Sequence, residues 1–257
     1  MRNPPSDFRK LNCSECRDGA GLDFDFTMAF QPIVDASSGE IFAHEALVRG
    51  LDGEGAGAVF AHVNDSNRYS FDQTCRVKAI SLAAELGMTT MLSINFMPNA
   101  VYKPELCIRT TLAAAQEFGF PVDRIIFEVT EGERVEDQLH LRGIVAHYKE
   151  RGFCTAIDDF GAGYAGLGLL ADFQTDIVKL DMGLIRGIDA DRTRTAICRG
   201  IVSVCNDLGI RVIAEGVETR EEYGALRALG IELFQGYYFA RPAFRALAEV
   251  PAERFAL

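Results

Sequence analysis

Short apolar segments alternate with amphipathic segments along most of the chain. Apolar runs of five to eight residues predict strands, because strands covered on both faces are short and mostly apolar. These runs span residues 28–35, 41–48, 91–95, 125–129, 153–158, 176–180, 211–215 and 231–235. Between them, apolar residues recur at helical spacing in 74–86, 105–118, 133–150 and 193–208. The alternation predicts repeated βα units and a parallel sheet.

Chain length and one turn define the expected architecture more closely. The chain has 257 residues, and a (β/α)8 barrel typically needs about 250. Asp35-Ala-Ser-Ser-Gly39 joins the first two predicted strands by a tight turn, so one strand of that hairpin should run antiparallel. We therefore expect an α/β fold over residues 23–257, a TIM-like (β/α)8 barrel with an antiparallel first strand. Residues 1–22 are polar and aperiodic, and we expect them to form a leader.

The acidic charge balance argues against polyanionic partners. Lys and Arg number 26, Asp and Glu number 37, and the net charge is −11. Such a chain repels phosphates, so we expect neither a nucleic-acid duplex nor an anionic membrane as its main partner. No stretch reaches the roughly 18 apolar residues of a membrane span, and the first residues lack the apolar core of a secretory signal. These features predict a cytoplasmic protein or the soluble part of a larger one.

The seven cysteines are best interpreted as reduced thiols, since most lie in apolar segments. Cys13-Ser-Glu-Cys16 has metal-ligand spacing, but a structural zinc usually needs four ligands. Zinc at this pair would require a second chain or a distant cysteine, and the alternative stays open.

Polar side chains gather near the ends of the predicted strands. In barrels of this type the active site forms at the carboxyl ends of the strands. The residues found there are Glu45, Asn95, Glu128, Asp158, Asp159, Lys179, Asp181, Glu215 and Gln235. Carboxylate and amide oxygens suit Mg²⁺ or Mn²⁺, whereas no histidine follows a predicted strand, which disfavours zinc. Because clustered carboxylates repel one another, cations are expected among them.

The segment Asp158-Asp159-Phe-Gly-Ala-Gly163 is the most informative of these strand ends. One of two adjacent carboxylates can bridge two metal ions while the next binds one of them. Two ions about 3.5–4 Å apart can clamp a phosphodiester and activate a water. The glycines permit a tight loop over the site.

Eight motifs resemble those of the EAL family of cyclic di-GMP phosphodiesterases and follow the same order. Glu45-Ala46-Leu47 followed by Val48-Arg49 is similar to the family signature. The likeness runs from about Thr27 to about Pro242. The other motifs are Gln31-Pro32-Ile33, Ser93-Ile94-Asn95, Phe127-Glu128-Val129-Thr130-Glu131, Asp158-Asp159-Phe160-Gly161, Lys179-Leu180-Asp181, Ala214-Glu215-Gly216-Val217-Glu218 and Gln235-Gly236-Tyr237.

The resemblance implies a barrel with an antiparallel first strand that hydrolyses cyclic di-GMP to linear pGpG with two Mg²⁺ or Mn²⁺ ions. It assigns one metal to Glu45, Asn95, Glu128 and Asp158, and the second to Asp158 and Asp159 with Glu215. Lys179 would orient water or phosphate, Glu215 would be the general base, and Glu131 would brace the loop after Asp159. The residues implied for substrate contact or its support are Gln31, Leu47, Arg49, Asp181, Glu218 and Gln235. Arg49 has an independent rationale, since its planar fork can hold a phosphate.

The sequence departs from the family pattern at one position, and two other functions are considered. Gly50 stands where the family often has an aromatic residue, which would loosen the wall near one guanine. A member that binds cyclic di-GMP without cleaving it usually lacks an acid of the metal site, and this sequence lacks none. A different barrel enzyme, a Schiff-base aldolase, would use Lys179 as its nucleophile.

Two further expectations concern association and metal preference. The apolar stretch Ala165-Gly-Leu-Gly-Leu-Leu-Ala171 beside the Asp158-Asp159 loop, together with the family precedent, predicts a homodimer. Ca²⁺ binds the same carboxylates at longer distances than Mg²⁺, so it is expected to inhibit.

Overall fold

The strands appear where the apolar runs predict them. The computed structural model describes residues 22–101, 103–130, 138–163 and 166–256. Each predicted strand is present, with ends shifted by a few residues. The strands are β1 (Thr27–Asp35), β2 (Glu40–Arg49), β3 (Met91–Asn95), β4 (Ile125–Thr130), β5 (Cys154–Phe160), β6 (Ile177–Leu180), β7 (Arg211–Ala214), β8 (Leu233–Gln235) and a short β9 (Ala243–Phe244).

Helices separate most of these strands. The helices described are α1 (Ala56–Phe60), α2 (Arg68–Glu85), α3 (Pro104–Phe118), α4 (Gln138–Glu150), α5 (Gly166–Asp172), α6 (Met182–Ile185), α7 (Arg192–Asp207) and α8 (Arg220–Ala228). At the start of α8, the Thr219 hydroxyl accepts from the Glu222 amide and the Glu222 carboxylate accepts from the Thr219 amide. This is the capping box that Thr-x-x-Glu predicts. Within the described residues, no helix is both long and apolar enough to cross a membrane.

The sheet closes into an eight-stranded barrel through its first strand. Strands β2 to β8 pair in parallel in sequence order, and β1 pairs antiparallel with both β2 and β8. The β1–β2 turn is tight: the Gly39 amide donates to the Asp35 carbonyl at 2.9 Å, and Gly39 has φ +73°, a conformation that favours glycine. The predicted barrel with an antiparallel first strand is confirmed.

The buried residues form an outer and an inner core. The outer core packs helices against the barrel and includes Phe26, Phe71, Ile80, Tyr148 and Phe234. The inner core lies inside the barrel. We call it the apolar layer, and its members are Ile33, Ala43, Ile126, Ala156, Ile177, Ile213 and Leu233.

Two of the shifted element boundaries change where polar residues lie. The helix predicted from residue 74 begins at Arg68. Its first turns bury polar residues, so this part of the helix lacks the spacing of apolar residues from which the helix was predicted. Strand β2 continues to Arg49, so Glu45 lies in the middle of its strand and not at the end. The reason is the long β1–β2 hairpin, which extends β2 as far as Thr27 can pair with Arg49.

Candidate active site

A layer of polar side chains lies inside the barrel directly above the apolar layer. Successive residues of a strand face opposite sides, so the residue two positions on faces the interior again. Ile126 is thus followed by Glu128, Ala156 by Asp158 and Ile177 by Lys179. We call the upper set the polar layer. Its members are Gln31, Glu45, Ser93, Glu128, Asp158, Lys179, Glu215 and Gln235.

Lys179 is at the centre of the polar layer and is completely buried. Its Nζ lies 2.7 Å from Glu128 Oε2, 2.7 Å from Glu215 Oε1, 3.1 Å from Asp158 Oδ1 and 3.4 Å from Glu45 Oε2. Burial alone would lower the pKa of Lys179, but the surrounding carboxylates outweigh it and hold that pKa well above its usual value. The chain therefore supplies one of the cations that the clustered acids require.

This environment also argues against the aldolase interpretation of Lys179. A Schiff-base lysine must be neutral to attack a carbonyl, which needs a lowered pKa. Four carboxylates within 3.4 Å have the opposite effect. Lys179 is an ammonium that donates hydrogen bonds and is not a nucleophile.

The carboxylates around Lys179 differ in their proton affinity. Burial raises the pKa of Glu128 to about 8, with Lys179 opposing the rise and Glu45 and Asp158 adding to it. Burial likewise raises the pKa of Glu215 well above its usual range. For Asp158 the balance reverses, because Lys179 and a hydrogen bond from Glu215 outweigh burial and lower its pKa. The site thus favours negative charge on Asp158.

A strand irregularity brings Asp158 and Asp159 to the same cleft. Neighbouring residues of a regular strand point to opposite faces. Here the β5–β6 register shifts between Ile157 and Phe160, and Asp159 has φ +54°, which is uncommon for a residue other than glycine. As a result both aspartates line the cleft described below. Burial and the charges of Asp158 and Asp181 raise the pKa of Asp159 to about 6.

Two groups of carboxylates have the spacing of divalent-cation sites. In each group the nearest oxygens lie within 4.8 Å of one another. The first comprises Glu45, Glu128 and Asp158, and the second comprises Asp158, Asp159 and Glu215. Asp158 belongs to both groups. All these donors are oxygens, which fits Mg²⁺ or Mn²⁺ and not a soft metal.

Hydrogen bonds orient the first group. The amide nitrogen of Asn95 donates to Glu45 Oε1 at 2.8 Å, and Gln235 donates to Glu45 Oε2 at 2.8 Å. Gln31 accepts from Gln235 at 3.3 Å, so the two predicted substrate-contacting glutamines also hold Glu45. Ser93 donates to Glu128 Oε1 at 2.5 Å. Ser93 belongs to the motif Ser93-Ile94-Asn95 but had no predicted role, although its position two residues before Asn95 places it on the same inward face.

A cleft of about 550 Å³ opens beside the carboxylates. Its polar end contains Asn95, Asp158 and Asp159, and its apolar walls include Leu47 and Phe60. Gly50 was expected to leave the wall near one guanine looser, but the space beside it is occupied by another side chain. A Cβ on residue 50 would lie 2.1 Å from Glu54 Oε2, so the folded-back Glu54 side chain fills the space beside Gly50.

Some residues predicted to bind substrate are engaged elsewhere. Arg49 donates to its neighbour's carbonyl, Val48 O, at 2.7 Å. Asp181 accepts from the Gly183 amide at 2.8 Å and caps α6, while its charge still acts on Asp159. Glu218 lies outside the carboxylate cluster and pairs with Arg186 at 2.8 Å. Glu131 and the Cys13–Cys16 pair lie outside the described residues.

The sequence matches the EAL domain family over residues 21–242, and the chain belongs to that family. It is 34% identical to the blue light- and temperature-regulated antirepressor BluF of Escherichia coli, over 86% of this chain and 55% of that protein. It is 30% identical to the probable cyclic di-GMP phosphodiesterase PdeG of E. coli, over 83% of this chain and 44% of that protein. The chain thus spans about half the length of these curated relatives.

Solved structures with bound cyclic di-GMP have the same fold. A standalone EAL protein from Vibrio cholerae O395, in its c-di-GMP-bound form, superposes with a TM-score of 0.88 at 60% identity, covering 91% of this chain and 98% of that one. The Klebsiella pneumoniae BlrP1 complex with manganese and cyclic di-GMP gives a TM-score of 0.84 at 37% identity, covering 88% and 58%.

Proposed function

We propose that this chain is a metal-dependent phosphodiesterase that hydrolyses cyclic di-GMP to linear pGpG. The observation that carries the proposal is Asp158, whose carboxylate belongs to two groups of metal-binding oxygens at once. The bound cyclic di-GMP and the manganese of the similar structures support the substrate and the metal.

Charge balance supports two divalent cations. Five carboxylates converge on the site, and Lys179 compensates one of them. Four negative charges are left, which two divalent cations would neutralise. One ion would be held by Glu45, Asn95, Glu128 and Asp158, and the other by Asp158, Asp159 and Glu215. When bound, such a pair supplies positive charge to the phosphodiester and lowers the pKa of a water.

The chain's own residues then handle the proton and the phosphate. Glu215 accepts the proton of the attacking water, and its raised pKa suits a general base near neutral pH. Lys179 keeps Glu215 in place at 2.7 Å and orients water or phosphate. The water oxygen forms a new bond to phosphorus, one ring P–O bond breaks, and the departing ribose oxygen takes up a proton from solvent, so the cyclic dinucleotide becomes linear.

The remaining predicted residues would recognise the substrate. Leu47 would pack on a base in the apolar part of the cleft, and Arg49 would exchange its bond to Val48 for a phosphate oxygen. Gln31, Gln235, Asp181 and Glu218 would contact the nucleotide or support those that do. Glu131 would brace the loop that follows Asp159.

The test is to incubate the purified chain with cyclic di-GMP and Mg²⁺ and to separate the products by chromatography. The proposal predicts pGpG in the wild type and none when EDTA replaces Mg²⁺. Glu40→Gln is a matched control, since it removes an exposed carboxylate from the opposite end of the barrel and should leave turnover intact. A wild type that retains intact cyclic di-GMP in a stable complex would instead be a binding protein.

We also propose that the active form is a homodimer assembled through the segment 165–171. Within the described part of that segment, Leu167 is 54% exposed, which is high for a leucine beside an active-site loop. Ala165 lies outside the described residues. Light scattering should give twice the chain mass. A monomer at micromolar concentration with full activity would reject the dimer.

The domain limits and the cellular location are proposals of the same kind. Deleting residues 1–22 should leave the activity of 23–257 intact.

The five described cysteines are free thiols, as expected in the reducing cytoplasm. Fractionation that finds the protein outside the cytoplasm would contradict that location.

A further inference from the structure

A buried ion pair on α2 lies beside the cleft, and its carboxylate, Asp72, lines the cleft wall. Asp72 and Arg76 are one helical turn apart, and Asp72 Oδ2 lies 2.7 Å from Arg76 Nη2. Both side chains are almost fully buried. Burying two charges costs several kcal/mol for each ion before pairing, and apolar residues of similar size often stabilise a protein equally well. Packing alone therefore does not account for this pair.

Aromatic side chains hold the guanidinium of Arg76. Its Nη1 donates to the Tyr148 hydroxyl at 3.1 Å. Its Cζ lies 5.1 Å from the centre of the Phe127 ring and 5.6 Å from that of Phe96, within the range of cation–π attraction. Because Arg76 is held on several sides, it gives Asp72 a defined position.

The other oxygen of Asp72 binds the segment that carries Asn95. Asp72 Oδ1 accepts from the Met97 amide at 2.9 Å, immediately after β3 ends at Asn95. On the opposite side, the Phe96 amide donates to the Glu128 carbonyl at 3.1 Å. The three residues 95–97 are thus tied to β4 on one side and to α2 on the other.

We infer that Asp72, held by Arg76, is a positioning residue that orients Asn95 for metal binding through the Met97 amide. The inference rests on the proposed function, in which Asn95 is a metal ligand. Asn95 also donates to Glu45, so displacement of residues 95–97 would disturb two ligands of the same ion. Removing a residue that orients a metal ligand commonly weakens metal binding by about 10–100-fold.

Two double variants isolate the hydrogen bond to Met97. Asp72→Asn/Arg76→Met removes both buried charges but retains a side-chain oxygen that can accept from the Met97 amide. Asp72→Leu/Arg76→Met also removes both charges and offers no acceptor, although its side chain at position 72 is bulkier. Both variants deprive Tyr148 of the same partner. They differ in whether residue 72 offers an oxygen to the Met97 amide, and in both the bond of 3.2 Å from Gln73 Nε2 to Asp72 Oδ2 loses its charged acceptor.

The experiment measures Mn²⁺ binding to the nucleotide-free protein by electron paramagnetic resonance, together with Tm. The asparagine variant should bind Mn²⁺ within about threefold of the wild type, and the leucine variant about 10–100-fold more weakly, at similar Tm. If Asp72→Leu prevents folding, Asp72→Ala in the Arg76→Met background removes the acceptor without added bulk, and the same comparison applies.

Equal Mn²⁺ affinity in the two double variants would overturn the inference. So would a loss of affinity in both that follows their loss of Tm, because the pair would then serve stability alone. If the wild type binds Mn²⁺ and forms pGpG while the variants do not differ, this inference fails and the proposed function stands. A wild type that neither binds Mn²⁺ nor forms pGpG would overturn both.

Discussion

The barrel interior contains two layers that differ in chemistry although the same strands build both. The apolar layer consists of aliphatic side chains, and the polar layer lies two residues along each strand. On the parallel strands the polar residue comes later, as in Ile126 and Glu128. On the antiparallel β1 it comes earlier, since Gln31 precedes Ile33. The reversed order on β1 places its polar residue at the same end of the barrel.

The comparison separates stability from chemistry within one barrel. Burying an aliphatic side chain contributes about 1.5–3 kcal/mol relative to leaving it exposed, so the apolar layer stabilises the fold. The polar layer buries several carboxylates around one ammonium, an arrangement with uncompensated negative charge until cations bind. Substitutions in the apolar layer should change the free energy of unfolding, and those in the polar layer should change the rate of catalysis.

The largest effect is expected for Asp158→Asn. Loss of the shared carboxylate weakens both metal sites, which together contribute several kcal/mol to rate acceleration, or about 10³-fold or more. The fold should persist, because the amide keeps the shape of the side chain and Lys179 keeps its contacts with Glu45, Glu128 and Glu215. Chromatography for pGpG and a thermal melt measure the two quantities. Near wild-type turnover in this variant would rule out a two-metal site at Asp158.

Glu215→Gln should lower turnover by at least about 10²-fold, the lower limit for loss of a general base. Glutamine keeps the shape and the hydrogen bond but cannot take the proton. Binding of cyclic di-GMP, measured by calorimetry in the presence of the metal, should change little. If binding and turnover fall together, Glu215 serves mainly to hold the metal or the loop.

Replacing Mg²⁺ by Ca²⁺ should reduce turnover by about 10²-fold, the cost of misplacing reacting groups by about 1 Å. Ca²⁺ prefers ligand distances of about 2.3–2.6 Å, against about 2.0–2.1 Å for Mg²⁺, so two ions sharing Asp158 would be held further apart. Titration of Ca²⁺ at fixed Mg²⁺ should show competitive loss of activity, and Mn²⁺ should support hydrolysis. Full activity in Ca²⁺ alone would show that metal spacing does not control the reaction.

A smaller effect is expected in the apolar layer. Ile126→Val should lower the free energy of unfolding by about 0.5–1.5 kcal/mol and leave kcat unchanged well below Tm. Glu128→Gln, two residues along the same strand, should do the reverse by removing activity without lowering the stability of the metal-free protein. Denaturant unfolding and initial rates on both variants test this contrast. A large drop in kcat for Ile126→Val would show that the two layers are not separable.

The smallest effect concerns pH and the metal-free protein. The pKa of Glu128 is about 8 in the fold against an ordinary value of 4.5. Between these values the folded state holds a proton that the unfolded chain has released, so this stabilising contribution is present below pH 4.5 and is lost as pH rises through 8. In EDTA, the Tm of the wild type minus the Tm of Glu128→Gln should therefore fall from pH 5 to pH 8. Saturating Mn²⁺, which replaces the proton, should abolish that decline. A difference that rises with pH in EDTA would contradict the assignment.

Local patterns predicted the fold well because the determining features are local. Short apolar runs predicted the strands, and the Asp35–Gly39 turn predicted the antiparallel β1. Strand-end acids predicted which side chains meet, since parallel strands end at one face of a barrel.

Features set by tertiary contacts could not be predicted in this way. The bulge that turns Asp159 into the cleft depends on the pairing of β5 with β6. The role of Lys179 as an internal cation among four acids emerges only when the strands close. The Asp72–Arg76 pair belongs to the first turns of α2, which bury several polar residues, and hydrophobic periodicity does not detect them.

Anomalous diffraction from a crystal grown with Mn²⁺ shows whether the polar layer binds two metal ions that share Asp158. We expect two manganese peaks about 3.5–4 Å apart, one beside Glu45 and Glu128, the other beside Asp159 and Glu215, with Asp158 between them. A single peak, or two peaks that do not share Asp158, would contradict this expectation.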